Sequence, residues 1–448
     1  MPDLIIRGGD VVTPKGIIRA DIALDGDCIS AVGPELPGAN HEFDASGLTV
    51  FPGLIDVHVH FNEPGRVEWE GARTGSSALA AGGGTMFIDM PLNSSPCTVS
   101  AAEFDAKRAA LAASSITDFG LYGGIIPGNL AALSEMADQG AMGFKAFMCD
   151  SGLAEFPRAD DDTLYAAMQE AARLDLPVLV HAETEETTHA IAKRRIEMGH
   201  THVRSFLASR PVAAEVEAIT RAGKMARATG CRLHVVHISS GRGVAAALEA
   251  RAQGANISIE TCPHYLYFTD EDMIRIGAVA KCAPPLRSAR ERDALLQDLA
   301  AGSIDIVGSD HSPCAPDLKD CKSFFEIWGG IAGVQTTLQT LLTLNLRLER
   351  IAAVTAANGA TRFRISEKGS IAPGFHADLA LVDVTATTEL REESLRQKHR
   401  VSPYLGEKLR GAIRAVFRRG ERICSDGEIA AKTPGKFVRP LTKSLAGS

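Results

Sequence analysis

No stretch of this 448-residue chain reaches 18 consecutive apolar residues, so no membrane-spanning helix is expected. The opening MPDLIIRGGD lacks the basic and apolar regions of a secretory leader. No CxxC pair occurs among the nine cysteines (Cys28, Cys97, Cys149, Cys231, Cys262, Cys282, Cys314, Cys321, Cys424), an odd number scattered along the chain. That excludes a disulfide framework and a cysteine-zinc knuckle, and makes a reducing cytoplasm the expected location. Basic excess is missing too: 47 Lys and Arg against 55 Asp and Glu leave a net charge of -8. With no basic stripe to neutralise phosphates, the expected partner is a small molecule and not nucleic acid. Low-complexity segments and internal repeats are also absent. What remains, 45% hydrophobic and 23% charged residues, is the composition of an ordinary globular protein, long enough for one large α/β barrel with additions.

The first fifty residues are short β-branched runs broken by GG, PKG and DG turns, which reads as a small all-β region. From Leu54 the texture changes. Eight strand-like runs follow: LIDVHVH, TMFIDMP, DFGLYGGII, GFKAFM, LPVLVHAE, RLHVVHIS, NISIETCP and IDIVGSDH. Ala-rich stretches of helical period, such as LYAAMQEAARLDLP and VAAEVEAITRAGKMARATG, lie between them. Repeated βα units of this number predict an α/β fold, a (β/α)8 TIM-type barrel. After two more helical stretches, GSIAPGFHADLALVDV returns to strand-and-turn texture. The two chain ends, 1–52 and 371–448, are therefore expected to build one small β-sandwich domain beside a barrel of residues 53–370. KTPGKFVRPLTKSLAGS reads as a polar tail.

In such a barrel the strand C-termini carry the active site. His58 and His60 close the first run; at i and i+2 on a strand they share a face, while Val59 turns to the helices. Lys145 lies in the fourth run, His181 ends the fifth, His237 is in the sixth and Asp310 ends the eighth. A single strand-end histidine is commonly a hydrogen-bonded core residue, but these residues together have the chemistry of an open catalytic metal site. Lys145, flanked by Phe144 and Phe147, would be costly to bury as an ammonium. Alone it would be read as the partner of a barrel carboxylate. Among the histidines it reads as a neutral amine able to take up carbon dioxide, forming a carboxylated lysine that bridges two divalent cations. His181 and His237 serve the second ion. His234, three residues before His237, is expected on the opposite side with a structural role. His264 and His311 are expected to support the ligands, and His41, His189, His200, His202, His376 and His399 to lie on surfaces or loops. Two cations would bring a bound water near neutrality, and Asp310 would take its proton and return it to a leaving nitrogen, so the implied reaction is hydrolysis.

These residues, with PGLIDVHVH before the barrel and GSIAPGFHADLALVD after it, resemble the cyclic amidohydrolase branch of the amidohydrolase superfamily, which includes dihydroorotases, hydantoinases and allantoinases. The resemblance spans nearly the whole chain. It implies two ions, zinc foremost with manganese, cobalt or iron as alternatives, held by His58, His60, Lys145, His181, His237 and Asp310, and a homotetrameric assembly. Dihydroorotases resemble HxHxREPG and MPNT, where an Arg helps to hold a substrate carboxylate. Here HFNEPGR places Asn62 and MPLNSSP places Asn93, neutral amides that cannot form a bidentate charged clamp. With GFKAFM, CPHYL, KCAPPLR, SDHSPC and WGGIAG, these loops look like those of allantoinases. The implied reaction is ring opening of allantoin to allantoate in purine nitrogen breakdown; hydantoinase, dihydropyrimidinase or dihydroorotase activity is the alternative, and a metal-free scaffold a more distant one. Cys282 and Ser312 sit where that family touches the ring, or are packing and turn residues. Arg66 reaches the ureido oxygen or pairs with Glu63 or Glu68, and Glu63 shapes its loop.

Overall fold

A computed structural model describes residues 1–441. All eight strand runs are present: Leu54–Val59, Gly84–Asp89, Asp118–Leu121 continuing at Gly123–Gly124, Phe144–Phe147, Pro177–His181, Arg232–Val235, Ile257–Thr261 and Ile306–Val307. They pair parallel and in sequence order, in one piece of three strands and one of six. The pieces are joined through the third run, where the Tyr122 N–H donates to the Asp89 carbonyl and the Gly123 N–H to that of Gly143. A parallel bridge between Val59 and His311 brings the last run back to the first.

Strand alternation sorts the side chains. In the fifth strand Val178 and Val180 join the large hydrophobic cluster that includes the helices, while Leu179 joins a second cluster with Val57, Ile88, Met142, Val236 and Ile306. That second cluster fills the barrel interior and is plugged below by Phe363 and Ile365, after the helix Asn358–Arg362. Burial of each such large apolar side chain contributes about 1.5–3 kcal/mol, so the apolar floor sets the depth at which polar groups begin.

Both chain ends form one nine-stranded sheet. Its seam is antiparallel: Leu379–Val382 runs against Thr49–Pro52, with Leu379 opposite Pro52. Ile6, Ile22, Leu24 and Val50 from the N-terminal part share an apolar cluster with Leu379, Leu381 and Phe417 from the C-terminal part. Gly53 then joins this sheet to the first barrel strand, and a Cβ there would stand 2.4 Å from the Thr85 side chain. The expectation of a free tail is corrected. Phe437 bridges Phe119 beside the third barrel strand, with rings 5.6 Å apart, and the Val438 N–H donates to the Phe119 carbonyl. Backbone bonds flank this contact, the Gly435 N–H donating to the Ser115 carbonyl at 2.9 Å and the Lys436 N–H to Asp118 Oδ1 at 2.9 Å. The last seven residues of that stretch lie outside the described residues.

Candidate metal centre

The side chains at the strand ends converge through simple alternation in some strands and through backbone irregularity in others. Lys145 lies between Phe144 and Ala146, both in the outer cluster, so alternation alone turns it inward. His181 follows Leu179 on the inner face. In the first strand the inner face carries Ile55 and Val57, yet Val59 belongs to the outer cluster. A register shift between Asp56 and Val59 makes that change of side and presents His58 and His60 together. Four residues at the mouth take the left-handed conformation uncommon outside glycine: Asn62 (φ 63°), Asn93 (69°), His237 (41°) and Asp310 (45°).

His58, His60, Lys145, His181, His237 and Asp310 all line one cavity of about 360 Å³. Asp310 Oδ1 lies 3.2 Å from His58 Nε2 and 3.3 Å from His60 Nε2. His181 Nδ1 lies 3.1 Å from His237 Nε2. Two ligand atoms held at ~2.1 Å by one ion stand roughly 3–3.5 Å apart, so each group has the spacing of atoms sharing a cation. The far nitrogens are already tied: His58 Nδ1 to Glu260 Oε1 at 2.6 Å, His60 Nδ1 to the Leu92 carbonyl at 3.3 Å, and His181 Nε2 to Glu183 Oε2 at 2.8 Å. Each ring is thereby held with its other nitrogen facing the site. Lys145 Nζ and His58 Nε2, both directed at the cavity, are buried without a hydrogen-bond partner among the described residues. Such a set of unsatisfied polar atoms fits a divalent metal pair.

Electrostatics agree with that fit. Burial lowers the pKa of His60, His181 and His237, keeping the imidazoles in the neutral form that binds cations. Burial also lowers Lys145 to about 8, and no carboxylate among the described residues forms an ion pair with it. For Asp310, burial works to raise the pKa, but His58, His60 and His237 outweigh it and hold the carboxyl well below the usual range.

Among the proposed substrate contacts, Asn93, Cys282 and Ser312 lie on the cavity wall. The Asn93 amide donates to Ser312 Oγ at 3.1 Å, and burial pushes the Cys282 thiol up to about 12, leaving it uncharged. Asn62 does not line the cavity. It is fully buried, and its amide donates to the Pro313 carbonyl at 3.1 Å, tying the loop after the first strand to the loop after the eighth. Arg66 pairs with neither Glu63 nor Glu68; it reaches Glu155 at 3.1 Å and the Asn93 carbonyl at 2.9 Å. Glu63 shapes its loop, accepting from the Ala72 N–H at 2.7 Å at the start of the helix Ala72–Ala81.

One expectation about the histidines is corrected. His234 lies inside the barrel, because the left-handed turn at His237 breaks the alternation from which the opposite side was expected. His234 Nε2 donates to Glu260 Oε2 at 2.9 Å, and its Nδ1 accepts from Ser258 Oγ at 2.7 Å. His189 is exposed, as expected of a surface residue, and stands at the cavity rim. His311 supports the ligands through its backbone, its carbonyl accepting from the His60 N–H at 2.8 Å.

Sequence reading missed Glu260, Asp56 and the Glu183–Arg210 ion pair. Glu260 is fully buried and touches His58, His234 and the His237 N–H. Its position in ISIET, on the same strand face as Ser258, was the available signal.

Residues 49–423 match the model of the amidohydrolase family. The chain is 58% identical to the allantoinase of Solibacter usitatus, over 100% of this chain and 99% of that one. It is 51% identical to the allantoinase of Rubrobacter xylanophilus, over 98% of each. Among solved structures it resembles the L-hydantoinase (dihydropyrimidinase) from Arthrobacter aurescens, with a TM-score of 0.95 at 33% identity over 98% of this chain and 100% of that one. The dihydropyrimidinase from Brevibacillus agri gives 0.92 at 28%, over 98% of each chain. Barrel, strand-end histidines and full-length likeness agree: the chain belongs to the amidohydrolase family.

Proposed function

We infer that this chain is a metal-dependent cyclic amide hydrolase that opens the ring of allantoin to give allantoate, in purine nitrogen breakdown. The observation that carries the reading is full-length identity of 58% and 51% to allantoinases, joined to a six-residue donor cluster lining one cavity of about 360 Å³. Hydantoinase activity is the second reading, favoured by the TM-score of 0.95 to an L-hydantoinase but at only 33% identity. Arg210, the arginine on the cavity wall among the described residues, is paired with Glu183 and so offers no free bidentate clamp to a substrate carboxylate.

His58, His60 and Asp310 would hold one ion, zinc foremost, and His181 and His237 the other. Lys145 would join the two after its neutral amine attacks carbon dioxide and loses a proton to water. When bound, the ions supply an activated water and polarise the scissile carbonyl. Asp310 is the proton carrier. Oδ1 faces His58 and His60, so Oδ2 is the atom to take the proton from the attacking water and deliver it to the leaving ring nitrogen. Phe147, stacked on His181 with centroids 4.6 Å apart, keeps water from one face of that ring. Residues 53–370 are the proposed catalytic unit, and a homotetramer in the cytoplasm the proposed assembly. All nine cysteines are free, which supports a reducing compartment.

The test is steady-state hydrolysis of allantoin, hydantoin, dihydrouracil and dihydroorotate after loading with zinc, manganese or cobalt in bicarbonate. The highest kcat/KM is expected for allantoin. A higher value for hydantoin or dihydrouracil would transfer the assignment to the second reading.

A further inference from the structure

One wall of the cavity is built from a segment with no regular secondary structure. Phe325, Glu326, Ile327, Trp328, Gly329 and Gly330 all line it. A segment outside helix and sheet must find partners for its carbonyls elsewhere. Here two lysines supply them. Lys281 Nζ donates to the Ile327 carbonyl and, at 3.2 Å, to that of Phe325. Lys319 Nζ donates to the Trp328 carbonyl at 2.8 Å and to that of Gly330 at 2.9 Å. Four carbonyls within six residues are thus held by two ammonium groups.

No carboxylate stands against either lysine to account for its position. Neither forms an ion pair among the described residues, and Lys281 instead lies 4.6 Å from the Phe206 ring centroid. Lys281 is 4% exposed. Burial lowers it to about 7 and Lys319 to about 8. A buried cation without a counter-ion is costly, and it persists where several oriented dipoles replace its water. The wall therefore depends on the lysines and the lysines on the wall. Within the stretch that Lys319 clamps, a Cβ on Gly329 would stand 4.0 Å from the backbone of Cys282 and Ala283. Gly330 has no room for a side chain, since a Cβ would stand 2.1 Å from the Ser312 carbonyl oxygen.

We propose that Lys281 and Lys319 are positioning residues that clamp the 325–330 wall against the loops bearing Cys282 and Ser312 and so set which ring the cavity accepts. The proposal rests on the cyclic amide hydrolase reading for its choice of substrates. It does not involve the metal ligands: both lysines tie down the wall and not the donor cluster.

The variants are Lys281→Met and Lys319→Met, which keep most of the side-chain length and remove the donors. In the metal-loaded full-length enzyme, KM for allantoin should rise roughly tenfold, the scale of one charge-assisted hydrogen bond at about 1.4 kcal/mol per decade. Kcat should stay within about threefold, bound metal should be unchanged, and the allantoin-to-hydantoin preference should fall several-fold. Hydrogen exchange at the amides of 325–330 should accelerate in both variants while the barrel strands stay protected. Folded variants with unchanged KM, unchanged preference and unchanged exchange would overturn the proposal, as would a loss confined to kcat with loss of metal. If one variant does not fold, the other carries the test. If the wild type fails to hydrolyse allantoin while exchange at 325–330 still accelerates in the variants, the substrate reading fails and the clamp stands.

Discussion

Replacing Glu260 by Gln changes one atom of a fully buried network and should weaken metal binding without destroying the barrel. The Glu260 carboxylate accepts from His58 Nδ1 at 2.6 Å, from His234 Nε2 at 2.9 Å and from the His237 N–H at 3.1 Å. Burial works to raise its pKa, but His58 and His234 outweigh this and bring it to about 2, so it is ionised throughout the working range. An amide at this position offers one acceptor oxygen and one donor group. If the oxygen keeps His58, the new N–H₂ faces an N–H on His234, and that ring must change tautomer. It is able to do so, because the Ser258 hydroxyl can accept as well as donate. His58 then keeps its orientation but loses a charge-assisted bond, and with it part of its basicity as a ligand. Outer partners of metal-bound histidines are worth about 10–100-fold in affinity, or about 1.4–2.7 kcal/mol. Competition with a chromophoric chelator measures this directly, and thermal unfolding of the metal-free protein separates it from a loss of fold. Metal affinity equal to wild type in a folded Glu260→Gln protein would refute the reasoning.

Asp310→Asn should abolish turnover while the metal-free protein melts close to wild type; substantial residual kcat would remove the proton-carrier role. Loading with zinc in buffer stripped of carbon dioxide should lower bound metal from two ions per chain toward one, read by elemental analysis, and two ions retained there would exclude carboxylation of Lys145. Asn62→Arg should act on folding, because Asn62 is fully buried in a left-handed conformation; a loss of ~2 kcal/mol or more in denaturant unfolding is expected. A stable Asn62→Arg protein with only KM altered would return Asn62 to the cavity. Acid should destabilise the metal-free protein in two stages, measured by unfolding across pH. His237 has its pKa pushed well down by burial, so the stability it contributes is present above about 6.5 and is lost as pH falls below that. Glu183 and Glu260, both held to about 2, contribute stability above the ordinary glutamate value of 4.5, lost as pH falls toward 2. Flat stability between pH 7 and 4 would contradict the first stage.

Much of the site was legible because strands have a period of two. The alternation of Phe144, Lys145 and Ala146 is enough to turn the lysine inward, and the spacing of His58 and His60 puts two imidazoles on one face. Where the backbone departs from that period the reading went astray. His234 was placed on the wrong side because the left-handed turn at His237 is invisible in RLHVVHIS. Asn62 was placed on the cavity because its loop follows the first strand, yet its amide is turned to Pro313. Phe437 and Val438 looked like part of a polar tail because nothing local indicates that the third barrel strand has an open side for them.

The chain alone determined the number and order of the βα units, the joining of both ends in one β region, and the residue types able to hold cations, since period, turn residues and side-chain chemistry are local properties. Only the tertiary structure decided that Glu260 stands between His58 and His234, that Asp310 faces both first-strand histidines, and that two lysines hold a cavity wall. Contacts across a barrel depend on strand stagger and on single bulged or left-handed residues, and a shift of one residue changes which side chains meet.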